Sequence, residues 1–124
     1  MYYTRIFSDE AGETHFSDVD IQLGERSIGA LIPPLGCSES YGAESGYFLT
    51  FPPEIFIDWH PAPKRLFHFF LAGQCEVEVS DGSVRTFRQG DIVLVEDILG
   101  KGHTTRNSGP ETTVMAVVAV GAAR

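Results

Sequence analysis

A tight β-hairpin is encoded near the middle of the chain by the stretch Cys75-Glu76-Val77-Glu78-Val79-Ser80-Asp81-Gly82-Ser83-Val84-Arg85-Thr86-Phe87. The alternation in its first half places the cysteine and the valines on one face of a strand and the two glutamates on the other. The Asp81-Gly82 pair supplies the turn, because glycine tolerates the positive φ that a tight primed turn requires. The stretch therefore predicts two antiparallel strands with one buried and one solvent-facing side.

Short β-rich runs continue on both sides of this hairpin, and almost no helical periodicity interrupts them. Gly, Pro, Asp and Ser separate the runs, which predict strands over 2–7, 15–23, 46–51, 55–60, 66–72, 74–80, 84–87, 91–96, 102–107 and 112–120. We expect the segment 33–45 to be irregular. The pattern predicts one all-β domain over 1–124, with an N-terminal arm over 1–25 and a barrel or sandwich over about 46–120.

Composition excludes several classes of function. The 124 residues suffice for one compact domain, and 17 acidic residues against 9 basic residues give a net charge of −8. Such a chain has little positive charge to cluster, so we expect no nucleic acid and no membrane surface as a partner. The longest uncharged apolar run, 112–123, is too short to span a bilayer, and the N-terminus lacks the pattern of a secretory signal. Two cysteines form no disulfide framework, so we expect a cytoplasmic protein.

Three histidines lie at or near the ends of predicted strands. His60 follows Asp58 by two residues, and positions i and i+2 share one face of a regular strand, so we expect both side chains to project together. His68 lies on a strand that is apolar on both faces and is therefore expected inside the domain. His103 follows the Gly100-Lys101-Gly102 turn.

These residues fall in two stretches that resemble the two motifs of a small single-domain cupin. The first stretch is Asp58-Trp59-His60, followed by Leu66 and Gly73, and the second is Gly90-Asp91-Ile92-Val93-Leu94-Val95-Glu96, followed by Gly102-His103 and Asn107. The most recognisable piece is Phe87-Arg88-Gln89-Gly90-Asp91. The resemblance covers about 48–120. It implies a cupin double-stranded β-helix, a jelly-roll β-barrel or sandwich, and commonly a homodimer.

The resemblance also implies a metal site, but the motif is incomplete. Metal-bearing cupins typically use three histidines and one glutamate, and the corresponding positions here are Asp58, His60, Leu66 and His103. The glutamate is therefore absent. Asp58, His60 and His103 remain as candidate ligands for one divalent ion, Fe, Mn, Ni or Zn. The alternative is a metal-free pocket in which Asp58 fixes the tautomer of a neighbouring imidazole, and the missing glutamate favours it.

Candidate catalytic residues are His60, His103 and Glu96. The two imidazoles have pKa values suited to moving protons near neutrality. Glu96 shares a face with Ile92 and Leu94, and a carboxylate inside an apolar barrel is suited to acid/base work. The alternative is that Glu96 opens a turn and is solvated. The residues expected to contact a bound ligand are His68 on the barrel floor, the aromatic residues Phe70 and Trp59, and Arg65 at the mouth.

Two functions of different classes agree with these residues. The first is an enzyme that acts on a small organic molecule by isomerase, lyase or dioxygenase-type chemistry, with or without a metal. The second is a binding module that holds a metabolite without changing it, as sensory cupins do. In either case we expect a homodimer, because the apolar run 2–7 is too long to leave unpaired at a sheet edge.

Overall fold

Two β-sheets and one small hairpin account for the strands of the chain. The computed structural model describes residues 1–121, so residues 122–124 of the predicted domain lie outside the described residues. The strands are β1 (Tyr2–Ser8), β2 (Thr14–Asp20), β3 (Gly24–Arg26), β4 (Leu35–Cys37), β5 (Ala43–Phe51), β6 (Phe56–His60), β7 (Leu66–Ala72), β8 (Gln74–Val79), β9 (Val84–Arg88), β10 (Ile92–Val95), β11 (His103–Asn107) and β12 (Thr113–Val120). The prediction of an all-β fold is confirmed.

The larger sheet has the strand order β2-β1-β10-β7-β12-β5, and the smaller has the order β6-β11-β8-β9. Strands β1 and β10 run parallel, whereas the other pairs are antiparallel. Buried side chains from both sheets form one core cluster, to which Val77 and Val79 come from the smaller sheet and Ile6, Val93 and Met115 from the larger. The sheets therefore face each other across an apolar interior.

The predicted hairpin forms as expected. Strand β8 pairs with β9 in a register that sets Glu78 opposite Val84, and Gly82 in the turn has a φ of 94°. The Asp81 carboxylate accepts a hydrogen bond of 2.7 Å from the Ser83 amide, which fixes the turn. Cys75 is buried on the inner face.

A second apolar cluster lies on the outer face of the six-stranded sheet, where Tyr3, Phe67, Leu94 and Val120 are buried. This cluster explains why β7 and β10 are apolar on both faces. None of the described residues forms a helix with the length and apolar character needed to cross a membrane.

The segment 33–45 differs from the expectation of irregular structure. It contains β4 and the beginning of β5, and β4 pairs with β3 to form a separate hairpin. Neither strand shows alternation, because the hairpin buries no face in the core. The sequence pattern therefore carried no signal for it.

Candidate functional site

A small cavity lies between the two sheets. Its volume is about 60 Å³, and its walls are apolar side chains from both sheets together with the three imidazoles of His60, His68 and His103. An apolar cavity of about 150 Å³ holds a benzene molecule. The barrel cavity is less than half that size, so it admits only a small group of atoms.

A buried carboxylate holds one of these imidazoles. Asp97 Oδ2 lies 2.6 Å from Nδ1 of His103, and both side chains are almost completely inaccessible to solvent. The other oxygen of Asp97, Oδ1, has no hydrogen-bond partner. The Asp97 carbonyl accepts a hydrogen bond of 3.0 Å from the amide of Ala62, which anchors the backbone at this point. A buried polar atom without a partner is costly, so the fold retains this pair at an expense in stability.

The second imidazole faces the first across a strand pair. His60 on β6 lies opposite His103 on β11, with ring centroids 4.4 Å apart and ring planes inclined by 56°. Nδ1 of His60 donates to the backbone carbonyl of Asp58 over 2.7 Å. When either ring is neutral, Nδ1 therefore carries its proton, and Nε2 keeps a lone pair that can accept another.

A glycine permits this close approach. Gly102 precedes His103 with a φ of 75°, and a side chain at this position would overlap the backbone carbonyl of His60. The Gly102 carbonyl also accepts a hydrogen bond of 2.6 Å from the buried hydroxyl of Thr14. The turn before β11 is therefore fixed on both sides.

The expected partnership of Asp58 with His60 on one face is wrong. Strands β6 and β11 change register between the pair His60–His103 and the pair Ile57–Thr105, so two residues of β6 lie opposite one residue of β11. Across such a β-bulge the i, i+2 rule fails, and Ile57 and His60 line the cavity instead. Asp58 is exposed, and its carboxylate accepts a hydrogen bond of 2.9 Å from the Trp59 amide.

His68 and Phe70 both line the cavity, as expected from their shared face of β7. Burial, and to a smaller extent the nearby His103, lowers the pKa of His68 from 6.5 to about 4. His68 is therefore an uncharged imidazole near neutral pH. Its ring contributes polar atoms to the lining of the cavity without placing a positive charge beside His103.

The expectation that Glu96 points into the barrel is wrong. Its face of β10 belongs to the outer cluster, where its carboxylate pairs with Arg5 and, over 2.7 Å, with Arg65. Val93 and Val95 face the cavity instead, and Asp97 continues their alternation. Because both faces of β10 are apolar, the sequence did not indicate which face was inside.

Arg65 and Trp59 also lie outside the cavity, contrary to expectation. Besides Glu96, which accepts from Nε, Arg65 donates from Nη1 to the carbonyl of Gly121 over 2.6 Å, so these two nitrogens bind within the fold. The Trp59 ring is half-exposed and borders a surface depression with Ser80 and Lys101. The bulge in β6 accounts for its position.

The described donor set does not fit a resident metal ion. Within residues 1–121 no group of three or more His, Cys, Asp or Glu side chains is arranged to hold one. His60 and His103 supply two nitrogen donors, and the third imidazole of the cavity, His68, does not complete a set of three with them. Leu66 stands where the resemblance would place a glutamate, and Asp58 lies outside the cavity. Two donors fall short of the three protein ligands that catalytic sites typically provide.

Asp97 is the functional candidate that the sequence interpretation missed. Its signal was present, since it continues the alternation of Val93 and Val95 one residue beyond Glu96. The alternation identifies Asp97 as an inward-facing residue only when it is known which face of β10 is the inner one.

Comparisons with known proteins agree with this architecture. No protein-family model and no curated protein matches the sequence. Among solved structures, a cupin 2 conserved barrel domain protein from Salinispora arenicola CNS-205 matches at 27% identity and a TM-score of 0.50. The match covers 62% of this chain and 62% of the Salinispora chain, so it spans about three-fifths of that protein's length.

Two further structures show likeness of fold alone. An uncharacterized conserved protein with a double-stranded beta-helix domain from Klebsiella pneumoniae subsp. pneumoniae MGH 78578 is 23% identical, with 83% of this chain and 81% of that chain covered and a TM-score of 0.50. Drosophila melanogaster CENP-C, solved bound to CAL1, is 13% identical, with 80% and 79% covered and a TM-score of 0.51. The class is thus the double-stranded β-helix barrel. Within that class, the chain is similar to a small cupin barrel domain.

Proposed function

We propose that the barrel binds the carbonyl-bearing end of a small organic molecule and that His103 moves one of its protons without the help of a metal ion. The observation that carries the proposal is the buried Asp97–His103 pair, 2.6 Å long, on the wall of an apolar cavity. A carboxylate on Nδ1 orients the imidazole and stabilises its protonated form, which is what a general base requires. His60, whose ring centroid lies 4.4 Å from that of His103, would accept a hydrogen bond from a substrate hydroxyl.

The proposed step is proton abstraction next to a carbonyl group. Nε2 of His103 takes the proton, the electron pair of the C–H bond becomes the π bond of an enolate, and the negative charge moves to the carbonyl oxygen. The imidazolium that results lies against Asp97, which balances its charge. Return of the proton to a neighbouring atom completes an isomerisation, and departure of a β-substituent completes a lyase reaction.

The charge state of His68 and the size of the cavity both support transfer of one proton to His103. His68 stays uncharged because its pKa is about 4, so no second cation opposes the protonation of His103. The cavity of about 60 Å³ holds a reacting group but not a whole metabolite, so the rest of the molecule would lie at the mouth. Of isomerase, lyase and dioxygenase-type chemistry, the last is the least favoured. The described residues offer no third ligand for an oxygen-activating ion.

A non-catalytic metabolite-binding role is the second candidate. It is favoured by the predominantly apolar lining of the cavity, since apolar cups with a few polar groups are the usual form of small-molecule sites. In that case His103 and His60 would fix the orientation of the ligand by accepting its hydrogen bonds. The two candidates differ in whether a C–H bond of the ligand is broken.

Solvent deuterium incorporation separates them. The protein is incubated in D₂O with a panel of small hydroxyketones, aldehydes and 2-oxo acids, and proton NMR follows the loss of each α-proton signal. We expect acceleration for at least one compound, and a loss of about 100-fold or more in His103→Gln. Asp97→Asn should reduce the rate and shift its pH profile. His15→Gln, at a partly exposed histidine that does not line the cavity, is the matched control and should leave the rate unchanged.

Two outcomes would overturn the catalytic proposal. One is ligand-induced shifts of the His68 and His103 signals with no deuterium incorporation, which would establish the binding module. The other is incorporation that persists at the wild-type rate in both His103→Gln and the half-exposed His60→Gln. Using both variants keeps the result interpretable if one of them folds poorly.

A further inference from the structure

The two sheets leave two gaps between their edge strands. Strands β2 and β9 border one gap, and β5 and β6 border the other, which we call the seam. Side chains bridge the first gap, since Arg85 on β9 bonds Asp18 on β2 over 2.6 Å and its guanidinium carbon lies 5.0 Å from the centre of the Phe16 ring. Within residues 1–121 the side-chain hydrogen bonds of β6 stay inside that strand, and none reaches β5. The seam is therefore the less tightly closed of the two gaps.

The cavity reaches solvent along the seam. The lining residues that are partly accessible are Phe51 on β5, Ile57 and His60 on β6, and His68 on β7, and the others are buried. Three of these four lie on the strands that border the seam. Asn107 closes one end of it, because its side-chain amide donates a hydrogen bond of 3.1 Å to the carbonyl of Phe51. The open end is therefore the opposite one, where β6 ends at His60.

Tyr47 borders this open end from β5. Leu49 and Phe51 pack against the inner core cluster, and Tyr47 continues their alternation away from the closed end. Tyr47 lies opposite Val117, which lies opposite His68, so the three form one row across the inner face of the sheet. Val117 is fully buried, whereas Tyr47 is 48% exposed. Because adjacent strands are about 4.8 Å apart, the Tyr47 backbone lies roughly 10 Å from that of His68, on the path from the cavity to solvent.

The inner side of the seam carries no Asp, Glu, Lys or Arg. The residues that border it there are Ser45, Tyr47, Leu49, Phe51, Ile57 and His60. Arg65, which precedes β7, is held on the outer face by its bond to Glu96. The exposed carboxylate of Asp58 lies beside His60 in the chain and would repel an anion. The seam therefore suits an uncharged substituent better than a carboxylate.

We propose that the seam is the entrance to the barrel and that Tyr47 determines substrate preference by packing against an uncharged aromatic substituent of the carbonyl compound. The inference rests on the proposed function, because the carbonyl-bearing end must occupy the cavity. That cavity of about 60 Å³ leaves the rest of the molecule outside, where Tyr47 and Phe51 present two aromatic side chains along β5. Aromatic rings in offset or edge-to-face contact stabilise each other beyond the area that they bury. The preferred substrate class is therefore a hydroxyketone or aldehyde with a flat, uncharged tail.

Three hydroxyketones that share their reactive end test the proposal. They are 1-hydroxybutan-2-one, its 4-phenyl derivative, and 5-hydroxy-4-oxopentanoate, which carries a carboxylate in place of the phenyl group. Titrations followed by the imidazole NMR signals of His60 and His68 give dissociation constants, and α-proton exchange in D₂O is measured on the same samples. We expect the phenyl compound to bind about tenfold more tightly than the parent and the carboxylate compound to bind no more tightly than the parent.

Variants of Tyr47 show whether its ring makes this contact. Tyr47→Ala should reduce the preference for the phenyl compound to about twofold or less, and Tyr47→Phe should keep it at about tenfold. Tyr47→Leu should lose the preference as well, and its apolar side chain supports the strand if Tyr47→Ala folds poorly. Phe48→Ala is the matched control, because Phe48 is the next residue of β5, is 79% exposed and points to the opposite face. It should keep the wild-type preference.

The binding and exchange measurements distinguish this inference from the proposed function. A preference for the phenyl compound in binding, without exchange of any compound, would support the entrance and overturn only the catalytic proposal. Exchange with equal binding of the three compounds, or a preference that persists in Tyr47→Ala and Tyr47→Leu, would overturn the role of Tyr47 alone. Tighter binding of the carboxylate compound, which Lys64 in the loop after β6 would favour, would also overturn it. Absence of both binding and exchange would overturn both proposals.

Discussion

At the scale of single residues, Gly102 determines whether His60 and His103 can face each other. Its positive φ and its contact with the His60 carbonyl both exclude a side chain. Gly82 shares the positive φ, but nothing lies within 4 Å of the position that a Cβ would occupy there. A substitution at Gly82 therefore costs only backbone strain, whereas the same substitution at Gly102 costs both backbone strain and steric overlap.

We predict that Gly102→Ala lowers the free energy of unfolding by about 3 kcal/mol, because conformational strain and overlap add. Gly82→Ala should lower it by only about 1 kcal/mol, the conformational part alone. Urea denaturation of both variants measures the difference. Equal losses would show that the His60 carbonyl is not the obstacle at position 102.

His68 provides a residue-scale prediction about acid. Because its folded pKa of about 4 lies below the unfolded value of 6.5, the unfolded chain binds a proton that the folded protein does not bind between these values. Stability from this group therefore falls as the pH falls from about 6.5 to about 4, by about 3 kcal/mol in total.

His68→Leu should remove that dependence. Between pH 7.5 and pH 5, wild-type protein should lose about 2 kcal/mol more than the variant in urea denaturation. Loss of the same free energy in both proteins would contradict a neutral, buried His68.

At the scale of elements, a surface histidine joins two turns. His15 on β2 bonds Asp9 over 2.7 Å and Asp81 over 2.8 Å, so the turn after β1 is tied to the turn between β8 and β9. The bond to Asp9, followed by the bond to Asp81, raises the pKa of His15 above 6.5. The pKa values of both carboxyls are lowered below 3.8, for Asp9 chiefly by His15 and for Asp81 chiefly by its bonds to Ser83.

The stabilisation from His15 should be complete below its unfolded pKa of 6.5 and should disappear as the pH rises through its raised folded pKa. We therefore predict that His15→Gln is less stable than wild type at pH 6 and that the gap narrows by pH 9. Thermal unfolding at the two pH values measures it. A gap that stays constant would mean that the ion pairs do not contribute.

Strand alternation predicted much of the fold and part of the site. It placed β7 at 66–72 as observed and put His68 and Phe70 on one inner face. It failed at Asp58, because a bulge adds a residue that no local pattern announces. It also failed at Glu96, because a strand covered on both sides is apolar on both faces, so the choice between Glu96 and Asp97 depends on the tertiary arrangement.

At the scale of the whole molecule, the six-stranded sheet separates two apolar spaces of different character. The inner space of about 60 Å³ is lined by three imidazoles, one of which is bonded to a buried carboxylate, whereas the side chains that line a groove of about 310 Å³ on the outer face of the sheet are uncharged. Strand β7 contributes alternate residues to both. The sheet therefore separates the imidazoles on its inner side from the groove without charged side chains on its outer side.

The most direct test of metal-free proton transfer is the deuterium exchange measurement on protein treated with a chelator and confirmed free of transition metals by plasma mass spectrometry. We predict that the treated protein accelerates α-proton exchange as fast as untreated protein does, and that His103→Gln loses about 100-fold or more under the same conditions. Exchange that appears only after a divalent ion is added, or that is unchanged in His103→Gln, would contradict it.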